Sequence, residues 1–331
     1  MKNNSFQEIW EKLKSCKNVV MSLHIGPDGD SLGSCTALKY VLERDLNCNV
    51  TLVSCDELSD SLASLSFSKE VLFGKDLSDL DLESFDVLIC LDLGDNVRLS
   101  AKLRDNFNVP NDLFIINIDH HKTNPFYGTL NYVDDSAPSA CSVLVDFFKE
   151  INVHFDAELS KRLLLGICTD SGFFTYDGKK SLEQAIFLIN QGADYMNDIV
   201  IPVKSNIPLR LLQFNALLID NIKFNTEKKF AYSLVKKEDV EKLNLNFAEV
   251  RLGIDALRDI EGIDFVFNLV EFDQGIKGSF RSHKVDVSLF AKELNGGGHK
   301  YAAGFGFKDS SLEEAEKRVL EVIDRIGIHK D

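Results

Sequence analysis

The chain has 331 residues, too many for one ordinary hydrophobic core, and this length predicts two domains. Its 52 acidic residues outnumber 37 basic ones, and a net charge of −15 argues against a protein that grips long nucleic acids through a basic stripe. The sequence contains neither an apolar run of about 18 residues, as a membrane span needs, nor an apolar secretory leader.

In the first half, short apolar runs alternate with stretches of helical periodicity, the pattern of a doubly wound, mainly parallel sheet. In chain order, the predicted elements are a helix at 6–15, a strand at 19–23, a helix at 35–46, strands at 50–53, 87–91 and 113–118, and helices at 137–151 and 157–168. A loop covers 24–34, and Ser31 in it is the predicted N-cap of the helix that follows.

The second half changes character after a further predicted helix at 181–192. Residues 193–212 lose their periodicity and contain Pro202 and Pro208, so this segment is the predicted linker. Strands at 230–235, 265–272 and 276–282, with a hairpin turn at 273–275, accompany helices at 248–257, 287–294 and 312–326. The predicted architecture is α/β, with a doubly wound domain at 1–192 and a smaller mixed α+β domain at 213–331.

Polar side chains collect where the predicted N-terminal strands end, the edge at which open parallel sheets bind ligands. These residues are His24, Asp28, Asp30, Asp92, His120, His121 and, after a helix, Asp170. Taken alone, each aspartate is better explained as a helix cap or a solvated loop residue. Four converging carboxylates, however, would repel one another unless cations lay among them. Two divalent ions about 3.5–4 Å apart, sharing one carboxylate, would use the whole set.

The ligand types and their spacing indicate which metal such a site would hold. The spacing of His24, Asp28 and Asp30 suits two ions, because alternate side chains of an extended loop can reach neighbouring sites. Imidazole ligands argue against magnesium alone, and the lack of cysteine ligands argues against structural zinc. Mixed nitrogen and oxygen ligation favours manganese, with cobalt or iron as alternatives. Adjacent histidines of a strand point to opposite faces, so we expect only one of His120 and His121 to serve the site.

Five motifs follow one another along nearly the whole chain. They are His-x-x-Pro-Asp-x-Asp-Ser-x-Gly-Ser at 24–34, Asp92 followed by Arg98, Asp-His-His at 119–121, Thr-Asp-Ser-Gly at 169–172 and Gly-Gly-Gly-His at 296–299. As a set they resemble the motifs of the DHH phosphoesterase family with its associated C-terminal subdomain, most of all its branch of nano-RNases and 3′-phosphoadenosine 5′-phosphate (pAp) phosphatases. Two positions depart from the common family pattern: Ser171 stands where threonine is frequent, and Phe280 where leucine is commoner.

The resemblance implies a role for each polar residue of the N-terminal set. One manganese ion would be held by His24, Asp28 and Asp92 and the other by Asp30, Asp92, His120 and Asp170, with Asp92 bridging. His121 would face the substrate phosphate, and Asp119 would hold a histidine in its ligating orientation. Arg98 would neutralise a phosphate oxygen, or lie on the surface as an ordinary arginine.

A glycine triplet in the C-terminal half predicts a second ligand site. The triplet is Gly296, Gly297 and Gly298, and His299 follows it. Glycines let backbone N–H groups approach an anion closely, although Gly296 alone is also explained as a helix stop. The resemblance implies that Arg281, Ser282 and His299 join the triplet in binding the far phosphate or the base of a short nucleotide. His283 is better explained as a solvated hairpin residue.

These features predict a manganese-dependent phosphoesterase that releases 5′-mononucleotides from very short RNA and removes the 3′-phosphate of pAp. The acidic surface supports small substrates because long strands gain little binding energy without a basic track. Hydrolysis of linear or cyclic dinucleotides of the di-adenylate type is an alternative, and a non-catalytic nucleotide-binding regulator is another. Seven scattered cysteines without paired spacing predict reduced thiols in a cytoplasmic protein. A homodimer is compatible with the sequence.

Overall fold

The computed structural model describes residues 2–100, 109–110, 112–175, 178–205, 207–245, 249–250 and 253–327. The chain divides into two compact units, residues 1–206 and 207–331. The narrower domain limits and the linker at 193–212 stay predictions. Within the described ranges, no helix combines the length and the apolar character that crossing a membrane requires.

The N-terminal unit is built on a parallel sheet of six strands. They are β1 (Asn18–Ser22), β2 (Asn49–Ser54), β3 (Leu72–Phe73), β4 (Val87–Leu91), β5 (Ile115–Asp119) and β6 (Leu130–Val133). Their order across the sheet is β3-β2-β1-β4-β5-β6. All of β4 is buried, as expected for a central strand covered on both faces.

Helices and two separate apolar clusters cover this sheet. The helices are α1 (Phe6–Lys14), α2 (Gly29–Leu46), α3 (Asp60–Ala63), α4 (Ala140–Glu150), α5 (Ala157–Asp170), α6 (Lys179–Asn190) and a π-helix (Tyr195–Ser205). Met21 and Ile89 belong to the larger cluster, whereas the alternate residues Val20 and Leu88 belong to a second one. Side chains of successive residues therefore enter opposite faces, which confirms the predicted doubly wound α/β fold.

The strand order positions the candidate site. The chain proceeds outward from β1 to β3 on one side, then returns to place β4 on the other side of β1. In open α/β sheets, ligands bind beyond the carboxyl ends of the strands at such a switch point. His24 follows β1 and Asp92 follows β4, so both lie at this position.

The loop predicted at 24–34 is shorter than expected, because α2 begins at Gly29 and not at Cys35. Its N-cap is Asp28, whose Oδ1 accepts a hydrogen bond from the Ser31 backbone N–H at 3.1 Å. Ser31 lies inside the first turn, and its Oγ accepts a hydrogen bond from the His24 backbone N–H. The prediction of Ser31 as the cap was therefore wrong, and Asp30 projects from a helical turn and not from an extended loop.

The C-terminal unit contains a mixed sheet of six strands. They are β7 (Ile222–Asn225), β8 (Phe230–Val235), β9 (Phe265–Phe272), β10 (Gly275–Ser282), β11 (Gly297–His299) and β12 (Ala302–Phe307), in the order β11-β12-β10-β9-β8-β7. Only the β8–β9 pair among these strands is parallel. The helices of this unit are α7 (Leu209–Asp220), α8 (Lys237–Lys242), α9 (Asp255–Arg258), α10 (Ser288–Glu293) and α11 (Leu312–Ile326).

Phenylalanines fill the core of this unit, including a stacked pair formed by Phe230 and Phe265. The predicted mixed α+β domain is confirmed, as is its hairpin, since β10 starts directly after a two-residue turn with Gly275 at a φ of 114°. The helix predicted at 248–257 lies in part outside the described residues, and α9 covers its end.

Candidate metal centre

His24 brings an imidazole to the switch point, two residues beyond β1. The side chain is buried, and its Nε2 lies 3.4 Å from Asp28 Oδ2 and 3.3 Å from Asp92 Oδ2. Its Nδ1 lies 3.0 Å from the carbonyl oxygen of Ile25, on the opposite side of the ring. The ring therefore turns one nitrogen to the backbone and the other to two carboxylates.

Asp92 lies between the two imidazoles of the cluster. Its Oδ2 faces His24, and its Oδ1 lies 3.3 Å from Nε2 of His120. The side chain is buried, and the backbone has a φ of 56°, in the left-handed region that non-glycine residues seldom occupy. Such strain persists only where surrounding structure enforces it, and it gathers at functional sites. The two oxygens of Asp92 have the arrangement that a bridging ligand needs.

Asp30 is held in the interior by the first turn of α4. Its Oδ2 accepts a hydrogen bond from the Ala140 N–H at 2.6 Å, and its Oδ1 accepts one from the Cys141 N–H at 2.9 Å. A carboxylate at a helix N-terminus is favoured by both these bonds and the helix dipole. Gly166 on α5 provides the space, because a Cβ there would lie 2.3 Å from Asp30 Oδ1. Three helices thus fix this carboxylate.

His120 and Asp170 complete the second half of the cluster. The Nε2 of His120 lies 3.3 Å from Oδ2 of Asp170, the last residue of α5, and 3.9 Å from Oδ2 of Asp30. Its Nδ1 lies 3.3 Å from the carbonyl oxygen of Ala137, which orients the ring. His120 therefore presents its Nε2 to carboxylates that come from three separate parts of the chain.

Asp119 binds the neighbouring histidine. Its Oδ1 lies 2.8 Å from Nδ1 of His121 and accepts a hydrogen bond from the His120 backbone N–H, while its Oδ2 accepts one from Asn124 Nδ2 at 2.6 Å. Asp119 therefore holds the ring of His121, whereas the carbonyl oxygen of Ala137 orients the ring of His120, and the role of Asp119 in orienting a ligating histidine stays a prediction. Nδ1 of His121 also lies 3.7 Å from Asp92, so both histidines approach the cluster, contrary to the expectation from strand alternation.

The electrostatics of the cluster follow from burial and crowding. Burial, together with the Asp92 carboxylate, raises the pKa of Asp30 to about 7. Burial alone would lower the pKa of His24, but the Asp28 and Asp92 carboxylates outweigh it and raise that pKa to about 9. For Asp92, hydrogen bonds from His120 and His24 outweigh burial and hold the pKa well below its usual range. The carboxylates are close enough to require positive charge among them.

This donor set fits divalent cations. Three overlapping groups each bring their ligand atoms within 4.8 Å of one another: His24, Asp28 and Asp92; Asp30, His120 and Asp170; and Asp92, Asp119, His120 and His121. The groups offer imidazole nitrogen and carboxylate oxygen, a mixture that suits manganese, cobalt, iron or zinc better than magnesium. Asp92 belongs to the first and third groups and also contacts His120, which links the groups into one continuous centre.

Arg98 lies behind this centre. Its Nη2 donates to the Ile25 carbonyl oxygen at 3.1 Å and lies 3.0 Å from Nδ1 of His24. That side of the His24 ring is opposite to the one facing the carboxylates. The guanidinium therefore holds both the Ile25 backbone and the His24 ring in place.

In the C-terminal unit, Arg281 is half-buried at the end of β10. Its Nε donates to Asp255 Oδ1 at 3.0 Å, and its Nη1 donates to the carbonyl oxygen of Phe280. Arg258 on α9 shares the same Asp255 oxygen at 3.3 Å. His283 is bonded to Asp259 at 2.7 Å. A carboxylate that no sequence pattern marked thus holds the Arg281 side chain.

The glycine triplet leads into an edge strand of the sheet, because Gly297 and Gly298 belong to β11 and Gly296 directly precedes it. A Cβ at Gly296 would lie 2.1 Å from the Gly304 carbonyl oxygen, and one at Gly298 would lie 2.6 Å from that of Ala302. At Gly297 it would meet open space. Close packing on β12 therefore explains why a side chain is excluded at Gly296 and Gly298, and the ligand role of the triplet stays a prediction.

The other C-terminal candidates differ in position. Arg281 and His299 both pair with Ala302 of β12, in one row across three strands. The side chain of His299 lies outside what the structure describes. The Ser282 hydroxyl is fully buried, donates to the Asp264 carbonyl oxygen and accepts from the Val285 N–H. It shapes the turn, and its role in ligand binding stays a prediction.

Sequence reasoning also missed Asn124. Its buried amide donates to Asp119 and to the Leu93 carbonyl oxygen, at 2.6 and 3.0 Å, and so ties the ends of β4 and β5 together. A signal was present, since a buried-strand end followed by a turn residue with a side-chain amide favours local capping.

Two family models match this chain. The model for the DHH family, N-terminal domain, matches residues 18–167, and that for the DHHA1 domain matches residues 227–326. Both matches fall on the units of the structure that carry the candidate groups.

Known proteins are similar over nearly the whole chain. The Bacillus subtilis protein named bifunctional oligoribonuclease and PAP phosphatase NrnA is 26% identical, covering 92% of this chain and 93% of the relative. The protein of the same name from Thermus thermophilus is 27% identical, with 95% and 94% covered. The crystal structure of an exopolyphosphatase-related protein from Bacteroides fragilis superimposes with a TM-score of 0.85 at 23% identity, covering 97% of this chain and 95% of that one. This last likeness shows a shared fold.

Proposed function

We propose that this chain, which carries the DHH and DHHA1 domains matched at residues 18–167 and 227–326, is a metal-dependent phosphoesterase acting on very short RNA and on pAp. It would release 5′-mononucleotides from the RNA and remove the 3′-phosphate of pAp. The observation that carries the proposal is Asp92, whose two oxygens each lie 3.3 Å from a different buried imidazole. The names of the full-length relatives support the substrates.

The metals would be two divalent ions, manganese by preference, with cobalt or iron as alternatives. His24, Asp28 and Asp92 would hold one, and Asp30, Asp92, His120 and Asp170 the other. When bound, such a pair supplies a nucleophile at neutral pH and neutralises the charge that develops on the phosphate. The protein fixes Asp30 with backbone hydrogen bonds from Ala140 and Cys141, and Asp28 with one from Ser31.

His121 would bind the substrate phosphate. Its Nδ1 is hydrogen-bonded to Asp119, and Asp119 accepts two further hydrogen bonds, so this carboxylate is fixed and keeps the imidazole proton at Nδ1. Nε2 of the same ring is then the atom to donate to a phosphate oxygen when the ring is protonated. Arg98 supports His24 from behind and adds positive charge near the anionic substrate.

The C-terminal unit would bind the rest of a short nucleotide. Arg281 offers a guanidinium that Asp255 orients, and Gly297 leaves the backbone open to close approach. We place His299 in the same group, because it shares a cross-strand row with Arg281. With a net charge of −15, the protein has little to offer a long polyanion, which favours substrates of a few nucleotides.

The cysteines support a cytoplasmic location for this activity. Seven are free, and six of them are buried, with Cys55 partly exposed. Free buried thiols suit a reducing compartment.

The test is hydrolysis by the purified full chain with manganese and, separately, pAp, a labelled RNA dinucleotide, a five-mer and cyclic di-AMP. We expect phosphate from pAp and mononucleotides from the short RNA, with both activities lost on chelation and restored by manganese. Faster hydrolysis of the cyclic dinucleotide would favour the alternative substrate class. Binding of pAp without turnover in manganese, cobalt or iron would overturn the proposal and indicate a regulator.

A further inference from the structure

The chain turns sharply after β4, beside the candidate centre. Asp92 begins this turn with a φ of 56°, in the left-handed region. Leu93 buries its side chain in the smaller of the two apolar clusters that cover the N-terminal sheet. Gly94 packs on the His121 ring, since a Cβ at Gly94 would lie 2.9 Å from both Cβ and Cγ of that residue. The turn therefore places the proposed bridging ligand and supports the histidine proposed to bind phosphate.

The left-handed backbone of Asp92 needs contacts that enforce it, because the Cβ of an L-residue is crowded in this conformation. On one side, the Asp92 N–H donates to the carbonyl oxygen of Ile118 at 3.3 Å. On the other side, the carbonyl oxygen of Leu93 accepts two hydrogen bonds from side chains. The Leu93 carbonyl is thus the point at which the turn is held beyond the ligand.

The two donors to this carbonyl are the Asn124 amide, at 3.0 Å, and the Tyr127 hydroxyl, at 3.2 Å. The amide has two hydrogens for three acceptors. These acceptors are Asp119 Oδ2 at 2.6 Å, the Leu93 oxygen at 3.0 Å and Asn117 Oδ1 at 3.3 Å. The Asp119 carboxylate is the nearest and takes one hydrogen, so the other two acceptors share the second. Tyr127 is therefore the more dependable donor to the Leu93 carbonyl.

The surroundings of Tyr127 suit this task. Its ring packs against the same apolar cluster as Leu93, which fixes where the hydroxyl lies. Burial raises the pKa of Tyr127 well above its usual range, so the hydroxyl keeps its proton and remains a donor. Tyr127 lies between β5 and β6, and its hydrogen bond therefore joins this segment to the end of β4.

We propose that Tyr127 is a positioning residue for the candidate centre. Its hydroxyl holds the Leu93 carbonyl, and this hydrogen bond maintains the turn that directs the two Asp92 oxygens at different imidazoles. The inference rests on the proposed function only in treating Asp92 as a metal ligand, and it does not depend on which substrate is hydrolysed.

The first test is Tyr127→Phe, which keeps the packing of the ring and removes only the hydroxyl. We expect the affinity for manganese, measured by calorimetric titration of the metal-free full chain, to fall about 10–100-fold. Tyr40→Phe is the matched control, because its hydroxyl donates to Asp156 at 2.9 Å, at the opposite end of α5 from Asp170. This control should bind manganese as the parent does. An unchanged affinity in Tyr127→Phe, or an equal loss in both variants, would overturn the proposal.

The second test measures the turn itself in the metal-free chain, by hydrogen exchange and mass spectrometry. A peptide covering residues 88–95 contains the Asp92 N–H, whose hydrogen bond to Ile118 depends on the turn. Deuterium uptake there should be faster in Tyr127→Phe and unchanged in Tyr40→Phe. Weaker manganese binding with unchanged uptake would contradict positioning through the turn. A parent chain that binds manganese but hydrolyses neither pAp nor short RNA would overturn the proposed function alone.

Discussion

The candidate groups of the two units differ in how firmly the chain holds them. In the N-terminal centre, buried carboxylates are bonded to backbone N–H groups, as Asp30 is to Ala140 and Cys141. In the C-terminal group, Arg281 is positioned by Asp255, a side chain that is itself exposed to solvent. The Asp30 carboxylate is thus held by backbone groups of the core, whereas the Arg281 guanidinium is held mainly by one exposed side chain.

This difference indicates a division of labour. A centre fixed by the fold can hold the same reacting groups for any substrate, whereas a group attached by side-chain pairs can change its ligand without loss of stability. Substitutions in the first should therefore affect chemistry strongly, and substitutions in the second should affect mainly substrate binding.

The largest effect is expected from Asp92→Asn, which keeps the shape of the side chain and tolerates the left-handed backbone. It removes the bridging charge, so we expect kcat for pAp to fall by about 10³-fold or more. Phosphate release and bound metal by mass spectrometry measure the change. Asp135→Asn, at an exposed residue, is the control. Near-normal turnover by Asp92→Asn would remove the bridging role.

A smaller effect is expected from Asn124→Ala, which frees the Asp119 carboxylate that holds His121. Partners of this kind contribute about 10–100-fold to activity, and we expect a loss in that range. The nitrogen chemical shifts of the His121 ring should also change, as the preference for the Nδ1 proton weakens.

Asn131→Ala is the matched control, because Asn131 accepts from Asn117 in the same buried network without touching Asp119. It should lower the free energy of unfolding and leave the His121 spectrum unchanged. If both variants lose activity equally, the network acts through stability alone.

In the C-terminal unit, Arg281→Ala should raise KM for nucleotides about 10–100-fold, the value of a charge-assisted hydrogen bond. Hydrolysis of bis-p-nitrophenyl phosphate, which lacks a far phosphate and a base, should change little. Lys277→Ala, on the same strand, serves as the control. An equal loss of kcat/KM on both substrates would show that Arg281 does not act by binding the nucleotide.

Two substitutions in the glycine triplet distinguish an effect on packing from an effect on substrate binding. Gly296→Ala should lower the free energy of unfolding by about 1–3 kcal/mol, because its Cβ would overlap the Gly304 carbonyl. Gly297→Ala meets open space and should leave stability unchanged while raising KM for pAp. Thermal unfolding and steady-state kinetics measure the two effects. An unchanged KM in Gly297→Ala would exclude the triplet from the substrate site.

The smallest effect is expected at the amino ends of β1 and β4, away from the candidate centre. There, Asp86 Oδ2 accepts hydrogen bonds from the Lys17 and Asn18 N–H groups at 2.7 and 2.9 Å. These hydrogen bonds lower the pKa of Asp86, so the ionised group stabilises the fold above its unfolded-state pKa, and this stabilisation is lost as pH falls through the folded value. Asp86→Asn should cost less than about 1 kcal/mol at neutral pH.

Chemical denaturation of the parent protein and of Asp86→Asn between pH 7 and 3 measures this difference in the free energy of unfolding. The difference between them should shrink on acidification, and kcat should be the same in both at neutral pH. A difference that grows as pH falls would reverse the assigned sign.

The part of the site that sequence could predict is the part set by strand ends. His24, Asp92 and His120 follow apolar runs that could only be buried strands, and parallel strands bring their carboxyl ends to one edge. The ligand atoms do lie together there. The fold class was predictable for the same reason, because the periodicity of the apolar residues fixes which faces are buried.

The remaining features depend on contacts between distant segments. Nothing local to Gly296 or Gly298 shows that β12 packs against them, so the sequence does not predict this packing role. The partnership of Asp255 with Arg281 joins residues 26 positions apart, with no shared pattern. The start of α2 was missed because Asp28 was assigned a single role, whereas one of its oxygens caps the helix and the other faces His24.

Asp28 and Asp30 serve the fold and the candidate centre at once. Asp28 caps the start of α2, and Asp30 accepts hydrogen bonds from the first turn of α4. The stability of these two helix ends and the placement of the ligand atoms are therefore linked, so conditions that fray either helix end should also weaken metal binding.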